Sequence, residues 1–402
     1  MTVEYTPVDI ACNLGCDYCY QEPMRDAGNV SSAQDWNKVK QQLLNQGQSF
    51  SLFGGEPLLA PIEHVEEAFA FGLERFGSNG IQTNGSLITD KHIELFKKYK
   101  VQIGISCDGP GELNSYRPAR TGSEDLTAKT IAAIEALCRE GIPPSLIVTV
   151  HKMNGSVERR QKLMFWFDDL ERMGVKFINL HPLEVEAGMD HLALSEDETR
   201  DTFHTLYQYS LTSNILFQPF YDIRKLLLDE PGTSCVWNAC DPLTTAAVQG
   251  ISRKGIMQNC GRTNKDGVNW VKADEPSFKR YFILHHTPQE HGGCKDCKYF
   301  ALCKGNCPGT GIDGDWRNRS IHCSTFYDLF GTIEREIIGS HRLPVTREAG
   351  RIKDLIDKLI NRKDPKNVTH RDSNQHGDSH GDSHGDSPHG DSNAKRVEVT
   401  WL

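Results

Sequence analysis

The chain has 402 residues, 45 Lys and Arg against 54 Asp and Glu for a net charge of −9, and 38% hydrophobic residues. That length allows two domains with a sizeable core, the acidic balance argues against a general nucleic-acid binder, and no apolar run reaches membrane-spanning length. No basic region followed by an apolar stretch opens the chain, so a cytoplasmic protein is expected. There, thirteen cysteines point to metal or catalysis rather than to disulfides.

Residues 1 to about 215 alternate strand-like and helix-like stretches. Strands are predicted at 3–10, 49–53, 80–83, 101–106, 145–150 and 176–180. Helices are predicted at 34–45, 62–76, 90–98, 123–140, 156–173 and 195–213. Strand–helix alternation implies parallel pairing with right-handed crossovers, and six units imply an open α/β barrel. The motifs then fall just after strands, where barrel chemistry sits. Cys12, Cys16 and Cys19 follow strand one in the run Cys-Asn-Leu-Gly-Cys-Asp-Tyr-Cys-Tyr. Cluster irons are normally held by four cysteines, so a three-cysteine CxxxCxxC loop can hold a four-iron cluster with one iron left open. The same spacing suits a zinc knuckle or three buried thiols. Gly54-Gly55-Glu56-Pro57 follows strand two, Gln82-Thr83-Asn84-Gly85 overlaps strand three, and Ser106-Cys107-Asp108-Gly109-Pro110 follows strand four.

Residues 217–230 read as a bridging helix. Residues 235–323 are cysteine-rich, with Cys235, Cys240, Cys260, Cys294, Cys297, Cys303, Cys307 and Cys323. Helices are predicted at 326–338 and 346–362. From residue 364 the composition turns to His, Gly, Asp, Ser and Asn, with HGDS units beginning at His376, His380, His384 and His389. Such a tail cannot bury a core and is expected to be disordered alone, although the alternating 397–401 stretch could dock as a strand.

The cysteine loop and the three strand-end motifs resemble the signature of radical S-adenosylmethionine (SAM) enzymes, and the likeness covers roughly residues 5 to 335. It implies a partial (β/α)6 TIM-like barrel over 1–216. A bridging helix (217–234), a small cysteine-rich SPASM domain (235–340), a further helix (341–363) and the tail (364–402) would follow. In that family the open iron chelates SAM, and one-electron cleavage yields a 5′-deoxyadenosyl radical that abstracts hydrogen from the substrate. The resemblance gives Tyr18, Gly54, Gly55, Asn84, Ser106 and Arg117 as SAM contacts. Packing for Tyr18, a turn for Asn84 and a surface charge for Arg117 are the alternatives.

The C-terminal cysteines resemble the seven-cysteine SPASM pattern, with Cys235 as an eighth; two zinc sites are the alternative. By resemblance, Cys235, Cys240, Cys260 and Cys307 would hold auxiliary cluster I, and Cys294, Cys297, Cys303 and Cys323 auxiliary cluster II. Three [4Fe–4S] clusters and SAM are thus the expected cofactors. Fully ligated auxiliary clusters suit electron transfer, which favours net two-electron oxidation of a peptide or protein: crosslink formation or dehydrogenation in the maturation of a ribosomally made peptide. The HGDS tail is a candidate fused substrate, a soluble linker or a metal-binding segment. Formylglycine formation, as in anaerobic sulfatase-maturing enzymes, is a second reading. Those enzymes carry a general-base Asp after the cysteine matching Cys260, where this chain has Gly261. A non-peptide dehydrogenase and an electron carrier or noncatalytic scaffold complete the alternatives. A flavodoxin or ferredoxin is the expected electron donor. No catalytic base can be assigned; Asp108, His151 and His181 sit near strand ends, and Cys107 and Cys138 read as buried, inert thiols.

Overall fold

The computed structural model describes residues 2–26, 33–185, 188–238, 240, 248–263 and 280–360. The HGDS repeat and the 397–401 stretch lie outside the described residues. Among the described residues the strands are β1 (Thr2–Thr6), β2 (Phe50–Leu52), β3 (Gly80–Thr83), β4 (Gln102–Ser106), β5 (Ser145–Val150), β6 (Phe177–Pro182), β7 (Leu216–Gln218), β8 (Val248–Ser252) and β9 (Met257–Asn259). They form one sheet in the order β7-β6-β5-β4-β3-β2-β1-β8-β9. Pairs from β1 through β7 are parallel, as is β1 with β8; β8 and β9 are antiparallel.

Helices supply the crossovers, and their stripes bury against the sheet. In Ile62–Phe76 the buried positions are Val65, Ala68, Phe69 and Gly72, an i, i+3, i+4, i+7 set. Asp35, Asp125 and Ser195 cap the helices that follow them by accepting a backbone N–H three residues on. Ser195 completes a capping box with Glu198.

Three differences from the sequence reading matter. First, β1 ends at Thr6 rather than residue 10. Pro7 follows, and Asp9 takes a positive φ of 51°, so the chain turns toward the cysteine loop. Second, β7 occupies the start of the expected bridging helix, which begins only at Phe220. Third, β8 and β9 extend the barrel sheet from within the C-terminal region. The cysteine-rich segment is therefore bonded to the barrel edge rather than merely appended to it. The helix Cys323–Gly339 completes the attachment. Its Glu336 accepts from Arg224 at 2.9 Å and from the Tyr207 hydroxyl. Among the described residues, no helix is long and apolar enough to cross a membrane.

Candidate functional site

The cysteine loop is held from both sides by backbone pairing. Its Gly15 and Asp17 N–H groups donate to Pro118 and Tyr116 carbonyls at 2.9 Å, and Arg120 N–H donates back to the Asn13 carbonyl at 2.9 Å. Beneath it, Gly55 and Glu56 N–H groups donate to the carbonyls of Asp9 and Ala11. Gly54, at φ +115°, and Gly55 allow this approach: a Cβ at either would lie 2.3 or 2.1 Å from those carbonyl oxygens. The Gly-Gly pair thus fits the strand-two loop under the cysteine loop.

Glu56 explains why that loop carries a carboxylate. It is fully buried and accepts from Leu58 N–H (3.0 Å), Thr83 hydroxyl (2.7 Å) and Asn84 N–H (2.7 Å). Asn84 is likewise bonded within the protein. Its Oδ1 accepts from Ser86 N–H and hydroxyl, and its Nδ2 donates to Asn13 at 2.8 Å. These bonds fix the turn and use one of the two Nδ2 hydrogens. Ser106 accepts from Gln82 at 2.9 Å, leaving its own proton free to donate.

Tyr18 donates its hydroxyl to Asp108 and accepts from Arg117 at 3.0 Å. Asp108 is fully buried. It accepts further from Thr149 N–H (2.8 Å) and His151 Nε2 (3.2 Å). His151 Nδ1 accepts from Met153 N–H, which fixes the proton on Nε2. Burial alone would raise the Asp108 pKa, but His151, Arg117 and Tyr18 hold it below the usual range. Asp108 and His151 are therefore committed to a buried network. Arg117 spends one N–H on Tyr18, so its planar fork remains suited to a carboxylate. Cys107 is fully buried and donates to Gly109 carbonyl.

Two residues that motif reading missed brace the loop. Arg120 pairs with both Glu22 oxygens at 2.6 Å and donates to Cys12 and Leu14 carbonyls. Arg25 pairs with Glu22 at 2.8 Å and donates to the Cys19 sulfur at 2.8 Å. Neither carried a local signal, because their partners come from a distant loop or from side-chain geometry.

Part of the second cysteine set lines a cavity of about 160 Å³ that Tyr20, the residue after Cys19, also lines. Cys235, Cys240, Cys260 and Cys307 all line it, with Glu4, Tyr20, His181 and Arg262. Cys294, Cys297, Cys303 and Cys323 form a separate neighbourhood: burial pushes the Cys303 thiol up, and Cys323, Cys294 and Cys297 add to it. Burial also raises Cys12, and it pushes Cys16 up to about 12. An anionic sulfur in these places needs a positive partner, which iron of a cluster would supply; the donor chemistry fits the expected groups. Among the described residues, no three His, Cys, Asp or Glu side chains form a cage for a single ion. The buried Arg280 donates to the carbonyls of Lys304, Gly305, Asn306, Trp316 and Asn318, holding the cysteine turns together.

Tyr20 joins the two sets. It directly follows Cys19, and a Cβ at Gly261, the residue after Cys260, would lie 2.7 Å from its hydroxyl. The ring thus fills the space a side chain at 261 would need. His181, at the end of β6, also faces the cavity. Arg262 donates to its Nδ1 at 2.8 Å. Arginine cannot accept, so the neutral imidazole carries its proton on Nε2, which has no partner among the described residues. Burial, Arg262 and His322 hold this imidazole well below its usual pKa. Burial pushes Glu4 up to about 7 against the pull of Arg262.

Residues 10–164 match the model of the radical SAM superfamily. The chain is 25% identical over 329 residues to a cysteine-type anaerobic sulfatase-maturating enzyme of Clostridium perfringens, covering 75% of this chain and 87% of that protein. It is 29% identical to a serine-type counterpart of Bacteroides thetaiotaomicron, covering 75% and 81%. It is 32% identical over 349 residues to an uncharacterized protein of Synechocystis, covering 77% and 84%. The fold matches a solved structure described as native anSMEcpe with bound AdoMet and Cp18Cys peptide. The TM-score is 0.64 at 21% identity, over 84% of this chain and 98% of that one.

Proposed function

The chain belongs to the radical SAM superfamily, and we propose that it modifies a peptide or protein by net two-electron oxidation, forming a crosslink or an unsaturated residue. The observation that carries this is Tyr20 packed on Gly261, which brings the residue after Cys19 against the residue after Cys260. Tyr20 thereby links the segment that carries Cys19 to the one that carries Cys260, and it lines the cavity beside Cys260.

We assign Cys12, Cys16 and Cys19 to the SAM-binding [4Fe–4S] cluster. Cys235, Cys240, Cys260 and Cys307 belong to one auxiliary cluster, and Cys294, Cys297, Cys303 and Cys323 to another. When bound, cluster and SAM supply the one-electron chemistry that removes a hydrogen atom from the substrate. The protein's part is placement and exclusion of water. Arg117 and the Ser106 hydroxyl are suited to the SAM carboxylate and amine side, and Gly54 and Gly55 hold their loop close to the cysteine loop. Tyr18 supports Arg117. In the cavity the Nε2–H of His181 and the Tyr20 hydroxyl offer donors to backbone or side-chain oxygens of a peptide. Auxiliary clusters would take the second electron, and a flavodoxin or ferredoxin would supply the first. The HGDS tail is a candidate substrate, since the dozen residues from 364 to 375 span roughly 40 Å when extended.

Formylglycine formation is favoured by one finding, the similarity to the sulfatase-maturating enzymes of Clostridium and Bacteroides. Against it stands Gly261, whose side-chain space Tyr20 occupies. Anaerobic reconstitution with iron and sulfide, then SAM and dithionite, tests the reading. We expect 5′-deoxyadenosine and a mass loss of two hydrogens on a modified peptide. Zinc in place of iron and sulfide, or uncut SAM under strong reductant, would overturn it. An unchanged tail mass alongside SAM cleavage removes the tail as substrate.

A further inference from the structure

We propose that Arg25 tunes the reduction potential of the N-terminal cluster through a direct hydrogen bond to the sulfur of Cys19. This rests on the assignment of Cys19 as a cluster ligand. The Arg25 side chain is only 7% exposed. Its Nη2 stands 2.8 Å from the Cys19 Sγ. Its other N–H groups aim the guanidinium: Nη1 donates to the Ile10 carbonyl at 2.9 Å, and Nε and Nη2 to Glu22 at 3.2 and 2.8 Å. Glu22 is pinned in turn by Arg120. The donor is therefore pre-aimed, and it carries a permanent charge.

The physical consequence has a definite sign. One-electron reduction adds a negative charge shared between irons and ligand sulfurs. A buried N–H⁺ donor stabilises that reduced form more than the oxidised one, which raises the potential. Cys12 has a weaker counterpart, the neutral backbone N–H of Leu14 at 3.4 Å. The loop thus presents one sulfur on a full cation and another on a neutral amide, so the two ligands differ in basicity. Glu22 acts in the opposite sense, its carboxylate offsetting part of the Arg25 charge.

The test is a potentiometric titration of full-length, anaerobically reconstituted protein, followed by electron paramagnetic resonance. The N-terminal cluster is identified as the reduced component whose signal changes on adding SAM. R25Q is expected to shift that midpoint to more negative potential, whereas E22Q leaves it unchanged or moves it to more positive potential. The SAM-insensitive components should not move. An unchanged R25Q midpoint at full iron content would overturn the proposal. So would an equal, same-sign shift in R25Q and E22Q, since both break the brace and only one removes the sulfur's donor. If R25Q holds no iron, R25K decides. Its shorter, undirected ammonium should give a midpoint below wild type, and a wild-type value would refute the assignment. A failure of SAM cleavage in the wild type would instead strike the functional reading and leave these potentials measurable.

Discussion

Replacing Glu56 by alanine tests whether the strand-two loop is held by one buried carboxylate. Glu56 is 0% exposed and serves three donors: the amides of Leu58 and Asn84 and the hydroxyl of Thr83. Each buried donor left without an acceptor costs about 1–3 kcal/mol. The Thr83 hydroxyl is a rotor that can turn its proton away, whereas the two amides are fixed and set the loss at roughly 2–6 kcal/mol. Removing the carboxylate also removes its own desolvation cost, visible as a pKa raised by burial. A net loss of about 3 kcal/mol is expected, against a typical total of roughly 5–15 kcal/mol. Glu56→Gln keeps one acceptor but turns an NH₂ toward a donor, and should cost less, about 1–2 kcal/mol. Urea unfolding followed by circular dichroism measures both. Glu56→Ala within about 0.5 kcal/mol of wild type, or Glu56→Gln equally damaging, would refute the reasoning.

Arg280→Met should cost about 3 kcal/mol or more, because it strands carbonyls that the buried guanidinium now serves; thermal unfolding and protease resistance of the C-terminal module would show it. Gly261→Ala should destabilise by about 1–3 kcal/mol through its clash with the Tyr20 hydroxyl. Tyr20→Phe should recover part of that loss in the double variant, and additive effects would contradict the packing. Glu334 is 3% exposed; burial opposes its ionisation, yet Lys298, Thr346 and Tyr299 hold its pKa below the usual value. Its contribution is therefore present above the unfolded carboxyl pKa of about 4.3 and is lost as pH falls through the folded value. Glu334→Gln should flatten the acid side of the stability–pH curve, and an unaltered slope would count against it.

Much of the fold was legible because its signals are local. Apolar stripes at helical spacing marked the six crossover helices, and cap residues such as Ser195 sat where their helices begin. The cysteine loop stood out for a different reason: ligation of a cluster would constrain spacing within a few residues, and such a constraint is written along the chain. The strand-end motifs shared this property. The short strands β7, β8 and β9 were not legible, since three to five residues with Gln249 and Gly250 among them carry no decisive period. Their pairing comes from the open edges of the barrel.

The sequence by itself determined the donor set, the alternation of strand and helix, and the placement of motifs at strand ends. Only tertiary structure decided what those residues touch. Glu56 fastens the strand-two loop from inside, Asp108 and His151 form a buried network, and His181 is a donor whose tautomer Arg262 imposes from 81 residues away. Arg25 met a sulfur through its side-chain conformation, and the Tyr20 ring packed directly on Gly261. Such contacts depend on distances between segments far apart in the chain, and residue order encodes those distances only through the packing of the whole fold.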